Sequence, residues 1–175
     1  MYKGHFDLSF VIVFILYKNQ VLLLKRKKDP WQNKWNGVGG KIEANEPPLA
    51  ASIREVEEET GIVLTEKQIK FTGIVTWEKE IREPYRRGMF TYVATLTELD
   101  KKGKDERLIK EGTLAWKPFS WALDKTNEKI ADNIPYFLPP MLQMNKPHLY
   151  NCLFADNKLQ TVTQFPLPEI IADIV

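Results

Sequence analysis

Four glutamates stand within five consecutive positions of the stretch REVEEETG, residues 54–61, and this pattern restricts what the segment can form. On a helix, like charges three or four positions apart repel by roughly 0.2–0.5 kcal/mol per pair. The cluster lies near the carboxyl end of a helix predicted over residues 46–60, where the helix dipole is also negative. Such a helix loses stability unless another charge neutralises its acidic side.

The helix predicted over residues 46–60 has two distinct sides. At about 100° per residue, its apolar side is formed by Leu49, Ile53, Val56 and Thr60. Its acidic side, roughly opposite, is formed by Glu55, Glu58 and Glu59, with Arg54 at the border. Residues suited to the two ends flank the helix: Asn45 or Glu46 as a cap, Pro47 and Pro48 in the first turn, and Gly61 as the C-terminal cap.

A divalent cation is the neutralising charge that these residue types favour. The chain has two histidines and one cysteine, too few for a zinc site with three or four nitrogen or sulfur ligands. Carboxylates without such neighbours suit Mg²⁺ or Mn²⁺. A solvated acidic surface is the alternative interpretation. The glycine-rich stretch NGVGGKI, residues 36–42, favours the cation, because its backbone can be approached closely.

Length and charge exclude several classes of function. A chain of 175 residues predicts one domain over residues 1–175. A net charge of +2 is too small to indicate nucleic-acid binding. The single cysteine, Cys152, excludes an internal disulfide and predicts a reducing, cytoplasmic location. The longest apolar run, residues 10–17, is too short to span a membrane and predicts a buried strand. Oligomeric state is not indicated.

Strand-like and helix-like stretches alternate along the chain. Strands are predicted over residues 8–17, 20–25, 69–77, 89–97 and 113–119, with a charged loop over 98–111, a second helix over 134–144 and a terminal hairpin turning at Asp156-Asn157. Several strands with two or three helices predict a layered domain of the α+β or α/β class.

The segment from Gly40 to Ile62 carries residues of defined type at fixed spacings: Gly40, Glu46, Arg54-Glu55-Val56, Glu58-Glu59 and Gly61-Ile62. It resembles the Nudix box at every defined position. The resemblance implies an α+β fold, an α/β/α sandwich in which a mixed sheet lies between helices and the box forms a loop–helix–loop. It also implies hydrolysis of a nucleoside diphosphate linked to another group, with Mg²⁺ or Mn²⁺ as cofactor.

The same resemblance implies roles for individual residues. Glu55, Glu58 and Glu59 would hold the metal, with the carbonyl of Gly39 as a further ligand. Glu58 and Glu55 would serve catalysis, and Arg54 would orient a glutamate of the box. Glu46 and Gly61 would be structural.

Similarity extends beyond the box to the MutT-type hydrolases of oxidised purine nucleotides, in their Gram-positive bacterial form. It covers residues 34–41, 111–119, 135–143 and 149–162. This implies that Glu111 is a further metal ligand or general base, the alternative being a loop surface residue. It also implies that Arg26, within KRKK, contacts a phosphate or sugar, the alternative being a solvated charge run.

Three residues resemble base-contacting positions of that group. Asn36 could read the base, or could simply be a turn residue before Gly37. Asp132-Asn133 could contact the base or cap a helix. Ile130-Ala131 stand where the group has a stacking tryptophan, which departs from its pattern.

These features predict an enzyme that cleaves 8-oxo-dGTP or a similar damaged nucleoside triphosphate to the monophosphate and pyrophosphate. The predicted partner is a small nucleotide, without nucleic acid or membrane. One alternative is a Nudix enzyme for ADP-ribose, a dinucleotide, dihydroneopterin triphosphate or ordinary nucleotides, because the box defines the chemistry and not the substrate. Another is a non-catalytic nucleotide sensor, which the complete set of box glutamates disfavours.

Overall fold

The computed structural model describes residues 5–78, 85–98 and 106–167. Within them the strands are β1 (His5–Tyr17), β2 (Gln20–Arg26), β3 (Trp35–Asn36), β4 (Ile69–Glu78), β5 (Tyr85–Leu96), β6 (Arg107–Leu108), β7 (Gly112–Pro118), β8 (His148–Ala155) and β9 (Lys158–Pro166). The helices are α1 (Pro48–Thr60), α2 (Phe119–Ala122) and α3 (Ile134–Gln143), with a 3-10 turn at Glu66–Gln68.

The described strands form one mixed sheet in the order β6-β7-β2-β1-β5-β4-β8-β9, with β3 paired to β2. The pairs β1–β5 and β4–β8 are parallel. The other pairs are antiparallel.

Alternate residues of the central strands enter two separate cores, because successive side chains of a strand point to opposite faces. In β1, Val11, Val13 and Ile15 pack on one face, together with Val56 of α1. Ile12 and Phe14 pack on the other face, against side chains of α3 such as Phe137. A strand buried on both sides requires a continuous apolar run, as the sequence has over residues 10–17.

The predicted α/β/α sandwich is therefore confirmed, with α1 covering one face of the sheet and α2 and α3 the other. The hairpin at Asp156-Asn157 is also confirmed: both residues have positive φ, 52° and 58°, as a tight two-residue turn requires. The predicted charged loop over 98–111 is wrong in part, because β6 lies within it and pairs with β7. Residues 99–105 of that loop lie outside the described residues.

The predicted ends of the first helix are half right. Gly61 ends α1 in the left-handed conformation, with φ of 71°, and its N–H donates to the Glu57 carbonyl. At the other end the N-cap is Pro47, without a side-chain hydrogen bond. The prediction that Asn45 or Glu46 caps the helix is wrong, because the Glu46 carboxylate is bound by Arg54.

Two prolines within α3 do not end the helix. Pro139 and Pro140 lie inside the helix, which continues to Gln143. Among the helices of the described chain, we find none with the length and apolar character needed to cross a membrane.

Candidate active site

The glycine-rich loop over residues 36–42 runs beside β1 and brings its backbone against α1. Val38 exchanges two backbone hydrogen bonds with Val13, at 2.7 and 3.1 Å, and Val11 N–H donates to the Gly40 carbonyl at 2.9 Å. Gly39 has φ of 149°, and a Cβ there would overlap the Val11 carbonyl. A Cβ on Gly40 would lie 2.5 Å from the Glu55 carboxylate oxygens. Both glycines therefore permit contacts that a side chain would block.

Arg54 connects three of the box glutamates. Its Nε and Nη2 bind the two carboxylate oxygens of Glu46 at 2.8 and 2.9 Å. Its Nη1 donates to Glu55 at 2.9 Å and to Glu58 at 3.3 Å, and Nη2 also reaches the Lys41 carbonyl at 3.1 Å. The bond from Arg54 lowers the pKa of Glu46 to about 2. Arg54 is thus a planar clamp on Glu46 and Glu55, and its role in orienting a catalytic glutamate stays a prediction.

Glu59 is the most buried of these carboxylates, with 8% of the residue exposed. Its Oε2 accepts a hydrogen bond from the Gly39 N–H at 3.0 Å. Burial raises the pKa of Glu59 to about 7, against the lowering effect of that bond, and the charges of Glu55 and Glu111 raise it further. The Arg26 charge acts in the opposite direction. Glu55 and Glu59 are therefore turned toward the glycine loop, whereas Glu58 is exposed to solvent.

The donors at this site fit a divalent cation in their chemistry. They are carboxylate oxygens, and burial also raises the pKa of Glu55, so negative charge is held there at a cost that a cation removes. In the described chain no three acidic, histidine or cysteine side chains are already gathered around one point. The Arg54 guanidinium occupies the space between Glu55 and Glu58. The Glu58 side chain is 60% exposed, which leaves its carboxylate free to turn.

Two predicted residues from other elements also reach this region. Glu111 is exposed at the turn before β7, and its charge acts on Glu59. Arg26 ends β2, and its Nε is buried without a hydrogen-bond partner among the described residues. The structure therefore brings Arg26 and Glu111 to the acidic side of α1. Their contacts with a ligand, and the Gly39 carbonyl as a ligand, remain predictions.

The predicted base-contacting residues do not meet as one hydrogen-bonded group. The Asn36 Oδ1 accepts from the Gly37 N–H at 2.8 Å, but Asn36 ends β3, paired with Leu24, so the alternative of a turn residue is wrong. Asp132 forms an ion pair with Lys34. Asn133 is the N-cap residue of α3 but makes no capping bond with its side chain; its Nδ2 lies 3.7 Å from the Cys152 Sγ. The alternative that this pair caps a helix is therefore right in position, since Asn133 is the N-cap residue of α3.

Sequence reasoning missed two features of this site. Glu46, assigned a structural role, is the main partner of Arg54. Lys34 was not singled out, although it holds Asp132 across 98 positions of sequence. The eight-residue separation of Glu46 and Arg54 spans a helix start, so no helical spacing rule would have paired them.

Comparison with known proteins gives a family match over most of the chain. The family model described as NUDIX domain matches residues 6–137. The chain is 35% identical over 100 residues to a protein named uncharacterized Nudix hydrolase YvcI, from Bacillus subtilis. That match covers 56% of this chain and 58% of the relative, so the chain spans little more than half of that protein's length.

Two solved structures share the fold. A MutT protein from Bacillus halodurans is 26% identical, with a TM-score of 0.69, over 91% of this chain and 98% of the other. A protein from Francisella tularensis, named a bifunctional NMN adenylyltransferase/ADP ribose pyrophosphatase complexed with AMP and Mn ion, is 17% identical. Its TM-score is 0.60, over 80% of this chain and 41% of the other. At that identity the likeness shows the fold alone.

Proposed function

The chain belongs to the Nudix family, and on that premise we propose that it hydrolyses nucleoside triphosphates to the monophosphate and pyrophosphate, with 8-oxo-dGTP preferred. The observation that carries the proposal is the acidic side of α1. Glu59 is buried beside the charges of Glu55 and Glu111, at a cost to folding that binding a cation would offset. Arg26 adds a positive charge at the same place.

Mg²⁺ or Mn²⁺ bound by Glu55, Glu58, Glu59, Glu111 and the Gly39 carbonyl would supply neutralising charge for a polyphosphate and lower the pKa of a water molecule. The protein's own contribution is positioning. Arg54 holds Glu55 and the Gly39 N–H holds Glu59, whereas the longer Arg54 bond leaves the exposed Glu58 carboxylate free to turn. Whichever of Glu58 and Glu111 does not bind the cation would accept the proton of the attacking water.

Arg26 supports a phosphate ligand in particular. Its Nε is buried and unpaired among the described residues, and a buried donor left without a partner costs roughly 1–3 kcal/mol. A phosphate oxygen would satisfy that donor with a charge-assisted bond. This arrangement favours the interpretation of Arg26 as a phosphate contact over that of a solvated charge.

The preference for an oxidised purine rests on Asn36 and on similarity to the MutT-type group. The Gly37 N–H fixes the Asn36 amide, and its Nδ2 makes no hydrogen bond to the described residues. One lone pair of Oδ1 and two N–H donors therefore remain for a base. 8-Oxo-purines carry an N7–H donor and an O8 acceptor, so a site with an acceptor facing N7 would disfavour plain guanine.

The experiment measures kcat/KM with Mg²⁺ for 8-oxo-dGTP, dGTP, dATP and ADP-ribose, with Glu58→Gln as the blank. We expect 8-oxo-dGTP to exceed dGTP by about a hundredfold, which corresponds to about 2.7 kcal/mol. Similar values for all four substrates, or ADP-ribose first, would retain Nudix hydrolysis and reject this substrate. No turnover of any of the four above the blank would favour a nucleotide-sensing domain.

A further inference from the structure

A pocket lies on the face of the sheet opposite the acidic side of α1. Its volume is about 320 Å³, and it is lined by Lys25, Asn33, Trp35, Lys117, Trp121 and Lys129. In β2, Lys25 follows Leu24, whose side chain belongs to the α1 face, so Lys25 points to the other face. The next residue, Arg26, returns to the acidic side of α1. The sheet thus separates the pocket, called here the lysine–tryptophan pocket, from the candidate active site.

Positive charge without a counter-ion is concentrated in the lysine–tryptophan pocket. Its described lining contains three lysines and no aspartate or glutamate. None of the three forms an ion pair with a carboxylate in the described part of the chain. Three ammonium groups around one small volume repel one another, and an anion placed among them would relieve that repulsion.

Aromatic rings form the walls of the same pocket. Trp35 and Trp121 meet edge to face, with ring centroids 6.3 Å apart and an angle of 88°. The Lys117 Nζ lies 4.3 Å from the Trp35 ring centroid and 5.6 Å from that of Trp121. This contact holds Lys117 inside the pocket, where a free lysine would extend into solvent.

Hydrogen bonds to backbone atoms of the lining residues fix the walls of the pocket before any ligand binds. The Asn127 Nδ2 donates to the Trp121 carbonyl at 2.8 Å, and its Oδ1 accepts from the Lys129 N–H at 3.1 Å. The Trp35 N–H donates to the Lys129 carbonyl at 2.8 Å. One asparagine and one strand residue thereby position both Trp121 and Lys129. Preorganisation of this kind reduces the entropy lost on binding.

We propose that the lysine–tryptophan pocket binds a nucleoside phosphate at a site distinct from the active site. The lysines would pair with the phosphate, and the tryptophan edges would contact the planar base. The volume lies at the lower end of the range for small-molecule sites, which fits one nucleotide and not a dinucleotide or a chain. This inference does not depend on the proposed hydrolysis.

The test is a binding titration in EDTA, so that turnover does not contribute. AMP and inorganic pyrophosphate are titrated separately while intrinsic tryptophan fluorescence and the ¹H–¹⁵N signals of the tryptophan indoles are recorded. The Trp35→Phe and Trp121→Phe variants assign the two indole signals of the pocket. We expect the changes in the Trp35 and Trp121 signals to reach a plateau as AMP is added. Pyrophosphate should bind at least tenfold more weakly because it lacks a ring.

Two double variants and one control locate the site. Lys117→Gln with Lys129→Gln should raise the Kd for AMP at least tenfold. The double variant Lys25→Gln with Lys129→Gln should also raise the Kd for AMP at least tenfold. It keeps the contact of Lys117 with the Trp35 ring, so it replaces the first double variant if that one does not fold. Lys125→Gln is the matched control, because Lys125 also lies over a ring, that of Tyr136 at 4.8 Å, but outside this pocket. Its Kd should equal that of the wild-type protein.

The proposal is overturned if AMP does not saturate these signals, or if both double variants bind as the wild type does. Equal weakening by Lys125→Gln would show a general charge effect and would also overturn it. Pyrophosphate binding as tightly as AMP would reject the nucleoside as the ligand.

Discussion

The two faces of the sheet carry opposite charge at nearly the same point of the chain. On one face, Glu55 and Glu59 lie against the glycine loop, and burial raises the pKa of both. On the other face, Lys25 and Lys117 line a pocket whose described lining has no acidic residue. In β2 the two environments are one residue apart, at Lys25 and Arg26. The comparison shows that two unlike environments can lie on opposite faces of one sheet, because successive side chains of a strand point to opposite faces.

Substitutions on the two faces of the sheet should differ most in their effect on kcat. We expect Glu58→Gln to lower kcat about a thousandfold or more, because metal-held charge supplies several kcal/mol and each 1.36 kcal/mol is tenfold in rate. On the other face, Lys129→Gln should leave kcat unchanged. Steady-state kinetics with Mg²⁺ checks both variants.

Glu57→Gln is the matched control for that prediction. Glu57 is exposed on the same helix and outside its acidic side, so this variant should retain wild-type kcat. A Glu58→Gln enzyme with wild-type kcat would remove Glu58 from the active site.

Substitutions at two glycines of the loop should separate an effect on catalysis from an effect on folding stability. A Cβ at Gly40 would displace the Glu55 carboxylate, so Gly40→Ala should lower kcat/KM about 10–100-fold, the usual range for disturbed metal-site geometry, with little change in Tm. Gly39→Ala would collide with the Val11 backbone at a strained φ and should lower Tm by several degrees. Circular dichroism melts and kinetics on both variants check this, and equal melting losses would contradict it.

The preference among bases should change less on substitution than the rate of hydrolysis does. Asn36→Ala should reduce the ratio of kcat/KM for 8-oxo-dGTP over dGTP about tenfold, since one lost base contact costs roughly 1–3 kcal/mol. Its activity on dATP should change less. If the ratio stays at the wild-type value, Asn36 does not contact the base.

The smallest predicted effect concerns stability without metal. The folded pKa of Glu59, about 7, lies above its ordinary value of 4.5, so the free energy of unfolding falls as pH rises through this interval. Glu59→Gln removes this loss. In EDTA at pH 8 its Tm should exceed that of wild type by a few degrees, and the difference should shrink toward pH 4.5.

Glu57→Gln makes the same change of charge at an exposed position two residues before Glu59, and it should show no such dependence on pH. A constant Tm difference between Glu59→Gln and wild type from pH 4.5 to 8 would show that ionisation of Glu59 is not the cause.

The sequence predicted the parts of the molecule that depend on local pattern. The continuous apolar run of β1, the glycine that ends α1 and the Asp156-Asn157 turn follow from strand burial and backbone conformation. The acidic side of α1 stays a predicted metal site, and the burial of Glu59 within it was not foreseen. A helical wheel places Glu59 opposite the apolar side and contains no information about the loop that covers it.

Long-range partners were beyond prediction from one sequence. Arg54 binds Glu46 across the start of a helix, and Lys34 binds Asp132 across the fold. The residues that line the lysine–tryptophan pocket come from β2, the β2–β3 loop, β3, β7, α2 and the segment after α2. No spacing rule joins such positions, because only the topology of the sheet brings them together.

The buried cysteine has a consequence for the chemical durability of the protein. Cys152 is the single cysteine of the chain, and burial raises the pKa of its thiol to about 12. Peroxides and alkylating reagents attack the thiolate form, which is scarcely populated at neutral pH with such a pKa. The native chain therefore offers oxidants no reactive thiolate, and the candidate active site relies on carboxylates and a guanidinium that peroxide does not modify.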